Sequence, residues 1–325
     1  FLRFTLAFFW LMAFSSATHD IAADGFYMLG LSEEQQAFFI GIRNTFYRIA
    51  MLTGQGLLVM LAGYLEESTG RIPFAWSLVF FVLAGLFIGL ALWHRYVMPS
   101  PASDQQRKNV SPAAVLRGFG DTFVSFFRKP GIGVAILFML TYRLGESQLV
   151  KLASPFLLDA RDAGGLALST GQVGFAYGTV GVIALLLGGI LGGMAISRHG
   201  LKKWLWPMAL AISLPNLVYL YMAYAMPENV FLVNACVAVE QFGYGFGFTA
   251  YTMYLILFSE GEYKTSHYAI CTGFMALGMM VPGMISGWIQ EMIGYQHFFI
   301  WVMICCVPLF LVLPFLKVKS SGPED

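Results

Sequence analysis

Tyr142, Arg143, Glu146 and Lys151 crowd into one otherwise apolar run of this chain. Arg143 and Glu146 are three residues apart and can pair along one helical face, while Lys151 falls on another face and needs a different partner. An ionised group at the centre of a bilayer costs about 2.5–3.5 kcal/mol even on the mild insertion scale, so charges in such a run mark a polar path. Stability gives little reason to keep them, because a buried pair at best breaks even against an apolar isostere.

Other apolar runs carry similar signals. Asp20 and Asp24, with His19 beside them, are one turn apart on one helix face. Two carboxylates so placed repel unless a cation intervenes, which suits either reversible protonation or a latch to a basic loop. Arg48 follows Arg43 and Tyr47 in the next run and lies too deep to snorkel comfortably. It is either the partner of a carboxylate or a fixed guanidinium for an anionic substrate. Glu240 heads a stripe of Tyr244, Gly247, Tyr251 and Tyr254, spaced four, three, four and three. Such a face is either core or a surface on which a sugar ring stacks.

These residues are positioned by apolar stretches of spanning length. At about 1.5 Å per residue a membrane helix needs roughly 20 residues, and the chain reads as an all-α membrane protein with nine helices near 2–26, 37–63, 73–95, 131–158, 170–196, 202–225, 230–258, 267–291 and 297–316. Hydrophobic residues are 58% of the chain and charged residues 11%, with a mean hydropathy of +0.70. That is too apolar for a soluble core. A net charge of +1 gives no basic face for nucleic acid. Cys236, Cys271, Cys305 and Cys306 sit in apolar runs without metal-ligand spacing and read as small core residues.

The organisation expected is a three-helix bundle over 1–95, a linker with an amphipathic helix over 96–130, a six-helix bundle over 131–318 and a tail over 319–325. Phe119, Phe123 and Phe127 give the linker an apolar face suited to a membrane surface. Lys202, Lys203, Lys264 and Lys317 fall on one side with the linker, which the positive-inside rule makes cytoplasmic together with the C-terminus. Nine spans ending inside begin outside, and the chain opens on Phe1, so three preceding helices are expected to be missing. The opening run with Ser15, Ser16 and Ala17 also has the form of a signal peptide, but its removal would orphan the segment that follows.

An internal echo, Ser32 to Leu52 against Ser259 to Met280, is what parallel repeats of two transporter halves produce. Gly174, Gly178, Gly181, Gly188, Gly189, Gly192, Gly193, Gly283 and Gly287 read as close helix crossings. His267 reads as a cap at a helix start.

A family resemblance emerges from these residues. Ser16 to Asp24, followed by Tyr47-Arg48-Ile49-Ala50-Met51-Leu52-Thr53-Gly54, resembles the fourth and fifth helices of the AmpG muropeptide permeases of the major facilitator superfamily. Tyr142-Arg143-Leu144-Gly145-Glu146, the run Gly192-Gly193 to Lys203, and Ala269 to Gly278 with Gly287-Trp288 extend it over nearly the whole chain. His19 stands where that pattern has Gln, and Gly25 where it has Ala; acetyl-CoA transporters are similar in the same region.

The resemblance implies a major facilitator bundle in a bacterial inner membrane that imports muropeptides by proton symport and alternating access, as a monomer among membrane lipids, with no cofactor. Arg48, Arg143 and Lys151 would then meet substrate carboxylates. Tyr142, Tyr244 and Tyr251 would contact the sugar, and Asp20, Asp24, Glu146 or Glu240 would exchange protons. Another anionic or sugar-containing solute, acetyl-CoA-like or saccharide, is the alternative substrate. An intramembrane enzyme would need a nucleophile with its base or paired metal ligands, and the chain offers no His-x-x-x-His, Gly-x-Ser-x-Gly or His-Glu-x-x-His. No catalytic residue is assigned. A non-transporting receptor would carry a long cytoplasmic extension, and none is visible.

Overall fold

The structure, a computed structural model, describes residues 2–54, 58–98 and 111–318. Every regular element among them is helical, as hydrocarbon requires of a backbone that must satisfy its own polar groups. In chain order these are α1 (Leu2–Gly30), α2 (Glu33–Leu52), α3 (Leu58–Thr69), α4 (Ile72–Val97), α5 (Pro112–Phe127), α6 (Ile132–Thr141) and α7 (Leu144–Leu158). There follow α8 (Thr170–Phe175), α9 (Val182–His199), α10 (Leu201–Ser213), α11 (Leu217–Ala225), α12 (Val230–Ser259) and α13 (Lys264–Val312).

Five helical segments are long and apolar enough to cross a membrane: Ile72–Val97, Gly171–His199, Leu201–Ala225, Val230–Ser259 and Lys264–Phe315. A sixth arises if Arg117–Phe127 and Ile132–Leu158, bent by 88°, count as one. The last of the five is itself broken at Gly294, whose φ of 74° and ψ of 168° are open to a residue without Cβ. The chain is thus a multi-pass helical membrane protein, but nine spans are more than the described residues supply. α1 holds His19, Asp20 and Asp24, α2 holds Glu34 and Arg43, and the span expected over 37–63 crosses 55–57, outside the described residues. Residues 99–110 of the expected linker also lie outside them.

Three stretches read as continuous helices are interrupted. The expected 131–158 helix breaks at Tyr142–Arg143, where Arg143 has φ −113° and ψ 17°. A π-helical turn, Ala176–Gly181, joins α8 to α9, and a 3-10 turn, Leu214–Asn216, carries Pro215 between α10 and α11. Apolar periodicity does not register such breaks, and Pro215 is the one local cause visible in sequence.

The described residues form two compact units, 1–42 with 108–325, and 43–107. In the smaller unit α3 meets α4, with Trp76 Nε1 donating to Glu66 Oε1 at 2.8 Å. In the larger one α9 is wedged between α2 and α12 by two glycine rows. A Cβ on Gly188 would strike the Phe242 carbonyl of α12, and one on Gly193 would lie 2.7 Å from the Ala37 carbonyl of α2. Gly41 of α2 returns the contact against Gly189. At Gly174, Gly178 and Gly287, also read as crossings, an added Cβ would meet no atom of the described residues within 4 Å.

α5 docks on the ends of α12 and α13. Phe126 is fully buried, Ser125 Oγ lies 2.9 Å from His267 Nε2, and Lys129 Nζ donates to the Phe258 and Glu260 carbonyls at 2.6 and 2.7 Å. His267 therefore holds α5; the residue at the cap of α13 is Tyr263, without a side-chain cap.

Candidate functional site around Arg143

The break between α6 and α7 creates the site. In an unbroken helix the Met139 carbonyl would take the Arg143 amide; here it accepts the Tyr251 hydroxyl of α12 at 2.6 Å. Tyr142 answers by donating to the Gly247 carbonyl of α12 at 2.7 Å. The two hydroxyls thus fasten the joint to α12 and turn Arg143 into the bundle.

Arg143 is 7% exposed and Glu146 6%. Arg143 Nε donates to Glu146 Oε2 at 2.9 Å, and its Nη2 donates to the Tyr244 hydroxyl at 2.9 Å. The guanidinium carbon lies 4.8 Å from the centroid of the Phe248 ring and 5.3 Å from that of Tyr244, a cation–π cradle that fixes its plane. Glu146 sits in the first turn of α7, where backbone amides favour a carboxylate. The result is a desolvated cation with one carboxylate and one phenol, suited to hold an anion.

The structure brings Tyr142, Arg143, Glu146, Tyr244 and Tyr251 together. Lys151 stands apart on an exposed face of α7, its stem beside Gly283 of α13, and has no ion-pair partner among the described residues. Glu240, 6% exposed, accepts from Gln241 Nε2 at 2.9 Å. The Tyr219 hydroxyl bonds that of Tyr177 in the π-helical turn. Asp24 is 4% exposed whereas Asp20, one turn earlier, is exposed. Arg48 lies in α2, but its side chain is outside the described part.

Phe248 and Gln148 were not singled out from sequence. Phe248 lies four residues beyond Tyr244, so helical spacing alone extends the stripe to it. Gln148 accepts from Trp301 Nε1 at 2.7 Å and donates to Cys305 Sγ at 3.1 Å, a buried polar link whose cost in hydrocarbon is its only sequence signal. Asn216 similarly donates to Cys306 Sγ, 3.6 Å away.

No protein-family model matches the chain. It is 27% identical over 312 residues to a Rickettsia conorii protein named putative transporter AmpG 4, covering 96% of this chain and 72% of that protein. It is 24% identical over 305 residues to putative transporter AmpG 2 of Rickettsia typhi, covering 94% and 69%. With the anhydromuropeptide permease of Escherichia coli it shares 24% identity over 312 residues, covering 96% of this chain but 60% of the permease. The resemblance carried by the motifs is therefore a similarity to AmpG-named transporters along nearly the whole chain.

Proposed function

We propose that this protein is a secondary transporter that imports muropeptides across a bacterial inner membrane, on a major facilitator bundle that works by alternating access and proton symport. The observation that carries the reading is the likeness over 96% of the chain to a protein named anhydromuropeptide permease. The buried guanidinium at the α6–α7 break supports it, because the peptide stem of such a substrate bears carboxylates that a desolvated Arg holds well.

In this reading Arg143 meets the stem. Tyr142, Tyr244 and Tyr251 border the sugar, and Glu146 and Glu240 are the carboxylates open to proton exchange. A proton entering down a 100 mV potential supplies about 2.3 kcal/mol, enough to concentrate a neutral solute tens-fold. The residues over 1–95 and 131–318 would belong to opposite halves of the bundle, joined by the 96–130 linker.

The test is flux into proteoliposomes containing the intact protein. A labelled anhydromuropeptide should accumulate when the outside is made acidic, and acetyl-CoA or a free saccharide should not compete. Accumulation of either competitor without the muropeptide would replace the substrate; absence of any flux would remove the transport reading.

A further inference from the structure

We propose that α5 is a lipid-binding helix in the membrane interface, with a phenylalanine stripe among acyl chains and arginines on the headgroups of anionic phospholipids. The inference is independent of which solute the protein carries. It goes beyond the apolar face read from sequence by naming the ligand and the part of the bundle that the ligand tethers.

Position comes first. Val230–Ser259 and Lys264–Phe315 are both long and apolar enough to cross a membrane, so the short turn between them, 260–263, lies at a membrane face. α5 is fastened to that turn. Lys129 Nζ donates to the carbonyls of Phe258 and Glu260, and His267 Nε2 meets Ser125 Oγ and, at 3.3 Å, the Thr122 carbonyl. Arg117–Phe127 is bent by 88° from Ile132–Leu158. With Ile132–Leu158 crossing the membrane, α5 runs along its face.

The helix has three sides. Thr122, Ser125, Phe126 and Lys129 share the side turned to the bundle. Phe119, Phe123 and Phe127, four residues apart, form a second side and are 65%, 39% and 49% exposed. Arg117, Asp121 and Arg128 form the third, and all are exposed. A helix packed on a core beneath water needs only two sides, one apolar and one polar. A separate aromatic side between them is what a helix shows when hydrocarbon is its further neighbour.

Charge selects the lipid. Residues 95–130 hold six Lys and Arg against Asp104 and Asp121, a net +4 in a chain whose total is +1. Lys129 is engaged on carbonyls, which leaves Arg117 and Arg128 at either end of the polar side, with Asp121 between them. A guanidinium matches a phosphate through paired hydrogen bonds, and each Lys or Arg near an anionic leaflet contributes roughly a fivefold factor in binding. Anionic lipid on α5 thereby tethers the turn from which α12 runs back to Tyr251, Phe248 and Tyr244 beside Arg143.

The experiment places a nitroxide on Phe123→Cys in the intact protein, reconstituted in phosphatidylcholine vesicles with and without phosphatidylglycerol. Cys236, Cys271, Cys305 and Cys306 are buried, and the signal of protein lacking the new cysteine is subtracted. Collisions with dissolved oxygen should be frequent and those with a water-soluble nickel chelate rare, as at the boundary of headgroups and acyl chains. Free access to nickel would put the stripe in water, and access to neither reagent would put it under protein; either result overturns the proposal.

Phosphatidylglycerol should raise the oxygen-to-nickel ratio several-fold, and added salt should reverse that gain by screening. Arg128→Gln should raise about fivefold the phosphatidylglycerol fraction that gives half the gain, while Arg128→Lys should stay close to wild type. A ratio indifferent to phosphatidylglycerol would overturn the headgroup assignment. If Arg128→Gln does not fold, the salt dependence of the labelled protein decides: a gain that salt leaves unchanged would overturn it equally.

Discussion

Tyr142 and Tyr251 lie face to face with ring centroids 4.7 Å apart and planes 3° from parallel, and each donates its hydroxyl to a backbone carbonyl on the other's side of the helix crossing. Removing the Tyr251 hydroxyl strands the Met139 carbonyl at the break, whereas removing the Tyr142 hydroxyl takes a second bond from the Gly247 carbonyl, which keeps its place in the α12 ladder. Tyr251→Phe should therefore cost about 1–3 kcal/mol and Tyr142→Phe about 0.5–1.5 kcal/mol, read as a lowered unfolding temperature in detergent. The pair should also couple by about 0.5–3 kcal/mol in a double-mutant cycle. Additive losses would mean that the two bonds act independently.

The glycine rows of α9 make a second prediction. A Cβ on Gly188 or Gly245 would collide with the carbonyl of Phe242 or Leu185 across the α9–α12 crossing. Gly188→Ala and Gly245→Ala should therefore destabilise by about 1–3 kcal/mol through overpacking. Gly273→Ala, with no atom within 4 Å of the added carbon, should be neutral or stabilising by up to about 1 kcal/mol. Equal effects at all three positions would count against close packing as the reason for the rows.

Sequence made the charged cluster legible because a charge in an apolar run is costly wherever it points. The Arg143–Glu146 pair follows from their spacing alone, and the larger helical stretches follow from hydropathy. Burial at the two ends of one face does not: Asp20 and Asp24 share a helical face, yet Asp24 is buried and Asp20 is not. That difference depends on where neighbouring helices reach along α1. The break at Arg143 is equally silent, since no Pro marks it and the Met139 carbonyl it frees is satisfied by Tyr251, more than a hundred residues away in sequence.

A third prediction concerns α5. Lys129 caps the carbonyl end of α12, and His267 meets Ser125 and packs with its ring centroid 5.5 Å from that of Phe126. Lys129→Met and His267→Ala each remove a polar hold on α5 and leave buried groups unpaired. Tryptic cleavage at the exposed Arg117 and Arg128 should then quicken several-fold. Unchanged cleavage in both variants would show that Phe126 alone seats the helix.

The last prediction separates the two carboxylates of α1. Asp24 is 4% exposed, and the next residue, Gly25, sits where a Cβ would lie 2.8 Å from Thr265 Cγ2 of α13, so this turn of α1 is packed against the start of α13. Asp24 interacts with its surroundings, and altering a buried, interacting polar group costs about 1–3 kcal/mol. Asp24→Asn should accordingly weaken folding or shift the balance of conformations, and both counterflow exchange and proton-driven accumulation should fall by a similar factor. Asp20 is exposed, and Asp20→Asn should leave both activities near wild type. Glu146→Gln should behave differently from either, losing accumulation while exchange survives, because exchange needs binding and conformational change but no net proton movement. If Asp24→Asn instead kept exchange and lost accumulation, Asp24 would be a coupling residue in its own right, and the proton would have to pass through α1 as well as α7.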